Sequence, residues 1–199
     1  MAAGCSSAIP EAPVTSSVRA RLAVTTPLFV TAAASGGTIT ASRNTATGWQ
    51  DGATALAVAD GELDASADAT GALDVSRFEL ELAPIDLPSD VLGQPAQLRD
   101  VRVALATESA MPATWSDDDD AAAAATVDLT LDWTLVVGGS AAPLGTQQLQ
   151  GVLVAISLAG DGEPVTATIG ATGSGELWSW ADLVRLQGLQ LTLQALSNP

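Results

Sequence analysis

The sequence contains no histidine, no lysine and no tyrosine, and it has a single cysteine. Without histidine there is no imidazole base, no Ser–His–Asp triad and no imidazole metal ligand. Without lysine there is no Schiff-base nucleophile. One thiol excludes an internal disulfide and any multi-thiolate zinc site. Positive charge is scarce: the 7 basic residues, all arginine, face 23 acidic ones, for a net charge of −16. A phosphate backbone or an anionic membrane surface would be repelled, so no nucleic-acid partner and no peripheral membrane attraction are expected. No stretch reaches the roughly 18 consecutive apolar residues of a transmembrane helix. No cofactor is expected, and the missing catalytic groups predict a non-enzyme.

What the chain does have is alternation. It runs to 199 residues, 47% hydrophobic and 15% charged, with 18 glycines and 10 prolines spread along it. Val127, Leu129, Leu131, Trp133, Leu135 and Val137 share one phase, with Asp128, Thr130, Asp132 and Thr134 between them. A helix would scatter those six around its circumference, whereas a strand puts them on one face. The same reading gives strands at 18–24, 39–41, 56–58, 63–67, 73–82, 101–105, 152–158, 165–171 and 189–195. Asp60-Gly61 and Asp161-Gly162 read as hairpin turns. Leu73 and Val75 are out of phase with Phe78, Leu80 and Leu82, which predicts a bulge near Ser76-Arg77. Pro84–Pro95 reads as a proline-rich connection.

Two short helices are expected. Ser116, the run Asp117, Asp118, Asp119 and Asp120, and Ala121–Ala125 combine a cap, acidic first-turn residues and strong helix formers. Ser179–Asp182 resembles a capping box, with Gly188 placed to end the helix. The expected fold is all-β: an antiparallel β-sandwich or barrel of about eight to eleven strands with one or two short helices. Residues 18–199 form a single β domain, and 1–17 form a signal remnant and flexible tether.

The cysteine sits in Ala2-Ala3-Gly4-Cys5, and this tetrapeptide resembles the lipobox that ends a bacterial lipoprotein signal peptide. The resemblance covers those four residues, with alanine at Ala2 where leucine is commonest. It implies a lipid-modified Cys5 and a location in the cell envelope, in the periplasm or on the outer surface, with membrane contact only through the anchor. A secreted chain is the alternative. Ser6–Ser17, rich in Ser, Ala, Pro and Thr, has the composition of a tether.

Trp115, Trp178 and Trp180 fall at element junctions. They are candidates for lining a ligand mouth or a partner patch, and also for plugging the ends of an alanine-rich sheet structure. Trp133 belongs to the core. The aspartates 117–120 are a candidate cation site, although their spacing is not that of an EF-hand, and a solvated charge run fits them equally. Arg19, Arg21, Arg99 and Arg102 read as surface ion-pair partners. Three functions follow as expectations. The first is a non-catalytic envelope lipoprotein presenting a binding or scaffold domain to another envelope protein. The second is a carrier of an apolar small molecule such as a lipid, inside a barrel or between sheets. The third is a carboxylate-only glycoside hydrolase, using same-face pairs such as Glu79/Glu81 or Asp128/Asp132.

Overall fold

The computed structural model describes residues 17–116, 120–160, 164–180 and 184–198. Its strands are β1 (Thr26–Val30), β2 (Gly36–Thr45), β3 (Gly48–Ala67), β4 (Leu73–Leu82), β5 (Ile85–Leu87) and β6 (Ala96–Leu105). They continue as β7 (Ser109–Met111), β8 (Ala113–Trp115), β9 (Ala121–Val137), β10 (Ser140–Ala159), β11 (Thr166–Trp180) and β12 (Val184–Ser197). Two helical turns, α1 (Val18–Arg21) and α2 (Ser89–Leu92), complete the set with a short 3-10 turn at Ala32–Ala34.

All pairings are antiparallel, and they close on themselves. β2 pairs with β3, β3 with β4, β4 with β6, β6 with β9, β9 with β10, β10 with β11, β11 with β12, and β12 with β2 again. The result is an up-and-down barrel with eight walls, not a sandwich. The short strands complete those walls. β1 sits between β3 and β12 below β2. β5 carries the β4 wall on along β6. β7 and β8 carry the β6 wall on, against β4 and β9 respectively.

Inward residues form one apolar cluster, in which Leu28, Leu63, Leu73, Leu98, Leu129, Val152, Ile169 and Leu193 are completely buried. Each buried Leu or Val contributes roughly 1.5–3 kcal/mol. The outer face of the same strands carries Ala, Thr, Asp and Gln. The bulge expected at Ser76 is present, because Asp64 pairs with Arg77 while Ala65 pairs with Val75.

Several expectations are corrected. Residues 18–21 form α1, not a strand. Ser17 Oγ accepts the Ala20 N–H at 3.3 Å, and Val18 and Leu22, four residues apart, turn one face into the barrel while Val24 is exposed. Asp60-Gly61 is no hairpin turn. Both residues are paired with β4 inside the 20-residue β3, just past a register shift at Ala59, and the chain reverses at 68–72 instead. Ala121–Ala125 belong to β9, since pairing to β8 and β10 and burial of Ala121 and Ala123 override alanine's helix propensity. Val184–Gln187 are strand, and Gly188 (φ 68°) lies at a bulge in β12 rather than ending a helix. The stretch 84–95 folds as β5 and α2, with Gly93 (φ 76°) as the left-handed C-cap. Cys5 and residues 1–16, Asp117–Asp119, Asp161-Gly162 and residues 181–183 lie outside the described residues.

Candidate functional site

The barrel has two different ends. At the α1 end, Val18 and Leu22 enter the interior, and the Leu22 carbonyl accepts the Ala67 N–H at 2.7 Å. Arg21 Nη2 donates to the Gly160 carbonyl at 3.2 Å. The neighbouring β3–β4 turn is organised by Asp68. Its Oδ1 accepts from the N–H of Thr70 at 2.8 Å, the N–H of Ala72 at 2.9 Å and the Thr70 hydroxyl at 2.7 Å. The Thr70 hydroxyl bond holds the Asp68 carboxyl below its ordinary value; desolvation opposes this, and the N–H groups of Ala72, Thr70 and Gly71 assist. Half-buried Trp115 packs on this turn: Nε1 donates to the Gly71 carbonyl at 2.6 Å, and the Arg19 guanidinium lies 5.5 Å from its ring centre. Trp115 thus closes an end.

At the α2 end the wall is incomplete. The β3–β4 ladder ends at Val58 opposite Leu82, with one further bond from the Ala83 N–H to the Ala57 carbonyl at 2.9 Å. Beyond it β5 pairs with β6, and the outer half of β3 pairs with β2. Across this seam Thr54 Oγ1 donates to the Asp86 carbonyl at 3.1 Å. α2 lies over it. A Cβ on Gly52 would fall 2.8 Å from Val91 Cγ2 and 3.0 Å from Pro88 Cγ, so the missing side chain is what lets α2 close on β3. Arg43, on the phase of buried Ile39 and Ala41, donates from Nη1 to the Leu92 carbonyl at 3.1 Å.

Half-buried Trp178 packs against the core at this same end, opposite Leu186, and the Trp180 backbone pairs with Val184. Trp115 is at the far end, so the three tryptophans do not form one site. Trp49 is 42% exposed on the outer wall, with the Arg185 guanidinium 4.0 Å over its ring.

Inside, Trp133 is 4% exposed, and its Nε1 is buried with no hydrogen-bond partner among the described residues. An unmet buried donor costs about 1–3 kcal/mol. Both flanks of Trp133 are irregular. It faces Gly145 (φ 70°) beside a register break after Pro143. On its other side the β6 register breaks between Arg99 and Arg102, around Asp100 (φ 52°), the non-glycine residue with positive φ among those described. Sequence reading assigned Trp133 to packing alone. The available signal was the choice of tryptophan over phenylalanine at a position with hydrocarbon neighbours.

Comparison with known proteins finds no matching family model, no similar curated protein and no similar solved structure.

The carboxylate pairs stand on the outer wall. Arg77 bonds Glu62 and Glu79 at 2.7 Å each, and that Arg77 bond holds the Glu79 carboxyl below its ordinary value. Asp128 Oδ1 accepts the Gly151 N–H at 3.0 Å, satisfying a bulge in β10, and Asp132 accepts the Thr146 hydroxyl. Glu79, Glu81 and Asp132 share with Arg77, Arg102 and Phe29 an open depression of about 400 Å³. Asp120 belongs to the link between β8 and β9, where its N–H donates to Ser116 Oγ at 3.2 Å. Among the described residues no group of three His, Cys, Asp or Glu is arranged to hold a metal ion.

Proposed function

We propose that this chain is a non-catalytic cell-envelope lipoprotein, tethered through Cys5 and displaying the α2 end of its barrel to an envelope partner. The observation that carries the reading is where the chain enters the barrel. Ser17 leads into α1, and Val18 and Leu22 are sunk into that end. A tether arriving there directs the α1 end toward an anchor. The opposite end, with Trp49, Arg185, Trp178 and α2, then faces outward. Exposed tryptophan beside arginine is the kind of side-chain pair that anchors protein contacts. The acidic outer wall keeps the barrel off an anionic bilayer surface.

The test is mass spectrometry of the native protein with cell fractionation. A lipid-modified amino-terminal Cys5 in the membrane fraction is expected, and Cys5→Ala should release the protein into the soluble fraction. An unmodified Cys5 in an intact cytosolic chain would overturn the reading.

A further inference from the structure

We infer that the α2 half of the barrel interior is a binding site for an uncharged, elongated apolar molecule carrying one carbonyl-type oxygen, with the Trp133 indole N–H as its hydrogen-bond donor. This goes beyond the tethering role and does not depend on it. Three observations bear on the α2 half of the barrel. The first is the donor itself, buried and unpartnered on the inward phase of β9. The row of residues across the strands at that level, Val58, Leu82 and Val101, is hydrocarbon and offers no side-chain acceptor. A residue chosen for packing alone has no use for an N–H there, since a phenylalanine fills apolar space without a polar group to desolvate.

The second observation is the seam. The Val58–Leu82 pair of that same row is the last register pair of the β3–β4 ladder, and past it the described residues join β3 to this wall through two bonds, from the Ala83 N–H to the Ala57 carbonyl and from the Thr54 hydroxyl to the Asp86 carbonyl. The third is the cover. α2 is a single turn, resting on Gly52 through Val91 and Pro88 and held by the Arg43 bond to Leu92. Val91 is buried against Gly52 at 6% exposure, and Leu92 packs against the core. Moving α2 outward breaks few polar contacts and takes Val91 and Leu92 out of the mouth. Hydrocarbon from a ligand replaces them, and an oxygen on the ligand meets the indole. Apart from Arg43 and Ser197, the buried inward side chains among the described residues are apolar, which favours an uncharged molecule.

The experiment uses the intact chain with 2-undecanone as probe and undecane as the matched molecule without an oxygen. Binding is followed by native mass spectrometry and by the indole N–H resonances in a nitrogen-15 NMR spectrum, assigned with phenylalanine variants of the other tryptophans. The ketone should move the Trp133 indole resonance, and Trp133→Phe should weaken ketone binding about tenfold, the scale of one hydrogen bond. Undecane should bind both proteins equally. The inference is overturned if the ketone does not bind, if it binds without moving the Trp133 resonance, or if wild type and Trp133→Phe bind it equally. Should Trp133→Phe fail to fold by circular dichroism, the wild-type resonance decides the matter.

Discussion

Asp68 shows what a single side chain does for this fold. The carboxylate gathers two backbone N–H groups and a hydroxyl at the tip of the β3–β4 turn, and that turn in turn accepts the Trp115 indole. Its pKa is lowered in the folded state from an ordinary 3.8. The unfolded chain therefore takes up the proton first on acidification. The stabilisation is complete above 3.8 and disappears as pH falls through the lower folded value. Asp68→Asn should lower Tm at neutral pH, and its difference from wild type should shrink as melts are recorded at successively lower pH below 3.8. A gap that stays constant across that range would mean the charge is irrelevant to the turn. Such roles were hard to read in advance. Asp68 and Asp60 both sit near a glycine, and local turn chemistry favoured the Asp60-Gly61 pair. Only the pairing of Leu63 with Phe78 and of Asp64 with Arg77 shows that β3 runs straight past it.

At the level of elements, the two single-turn helices do different work. α1 is a plug: Val18 and Leu22 have no solvent exposure, so Leu22→Ala should cost about 2–4 kcal/mol in urea unfolding. α2 is a cover seated on a glycine. Gly52→Val should push Val91 and Pro88 off β3, seen as faster hydrogen exchange in residues 85–92 with little change in β9 and β10. Equal exchange in the two proteins would show that α2 does not rest on that site. The long strands were readable because their inward positions are mostly Leu, Val, Ile and Ala at period two. The helices were not. Val18, Ala20, Leu22 and Val24 satisfy a strand by alternation, while Val18 and Leu22 satisfy a helix by spacing, and the choice between them is made by the barrel end they close. Ala121–Ala125 erred in the other direction, because propensity is a weak term beside two flanking strands.

Across the whole molecule, the defining event is closure of the last strand on the first. β12 pairs with β11, β2 and β1, so it is bonded along both edges, and its partners β1 and β2 lie more than 130 residues earlier. Non-local closure of this kind makes folding slow, in the millisecond to second range for sheet proteins of high contact order. Leu193→Ala, within β12, should destabilise by about 2–4 kcal/mol. If closure is a late event, stopped-flow measurements should find most of that loss in a faster unfolding rate. A loss expressed mainly as slower refolding would place closure in the nucleus. The alternation in the sequence could not separate a barrel from a sandwich, because both bury every second residue; the decision lies in which strand meets β2. The register also has a practical consequence. Leu28 pairs antiparallel with Ser197, so β12 ends beside the point where β1 begins, and a linker from there to Ser17 would keep α1 in place. New termini could then be cut at Gly138-Gly139, in the tight turn between β9 and β10, giving a circularly permuted barrel with its free ends on the opposite rim.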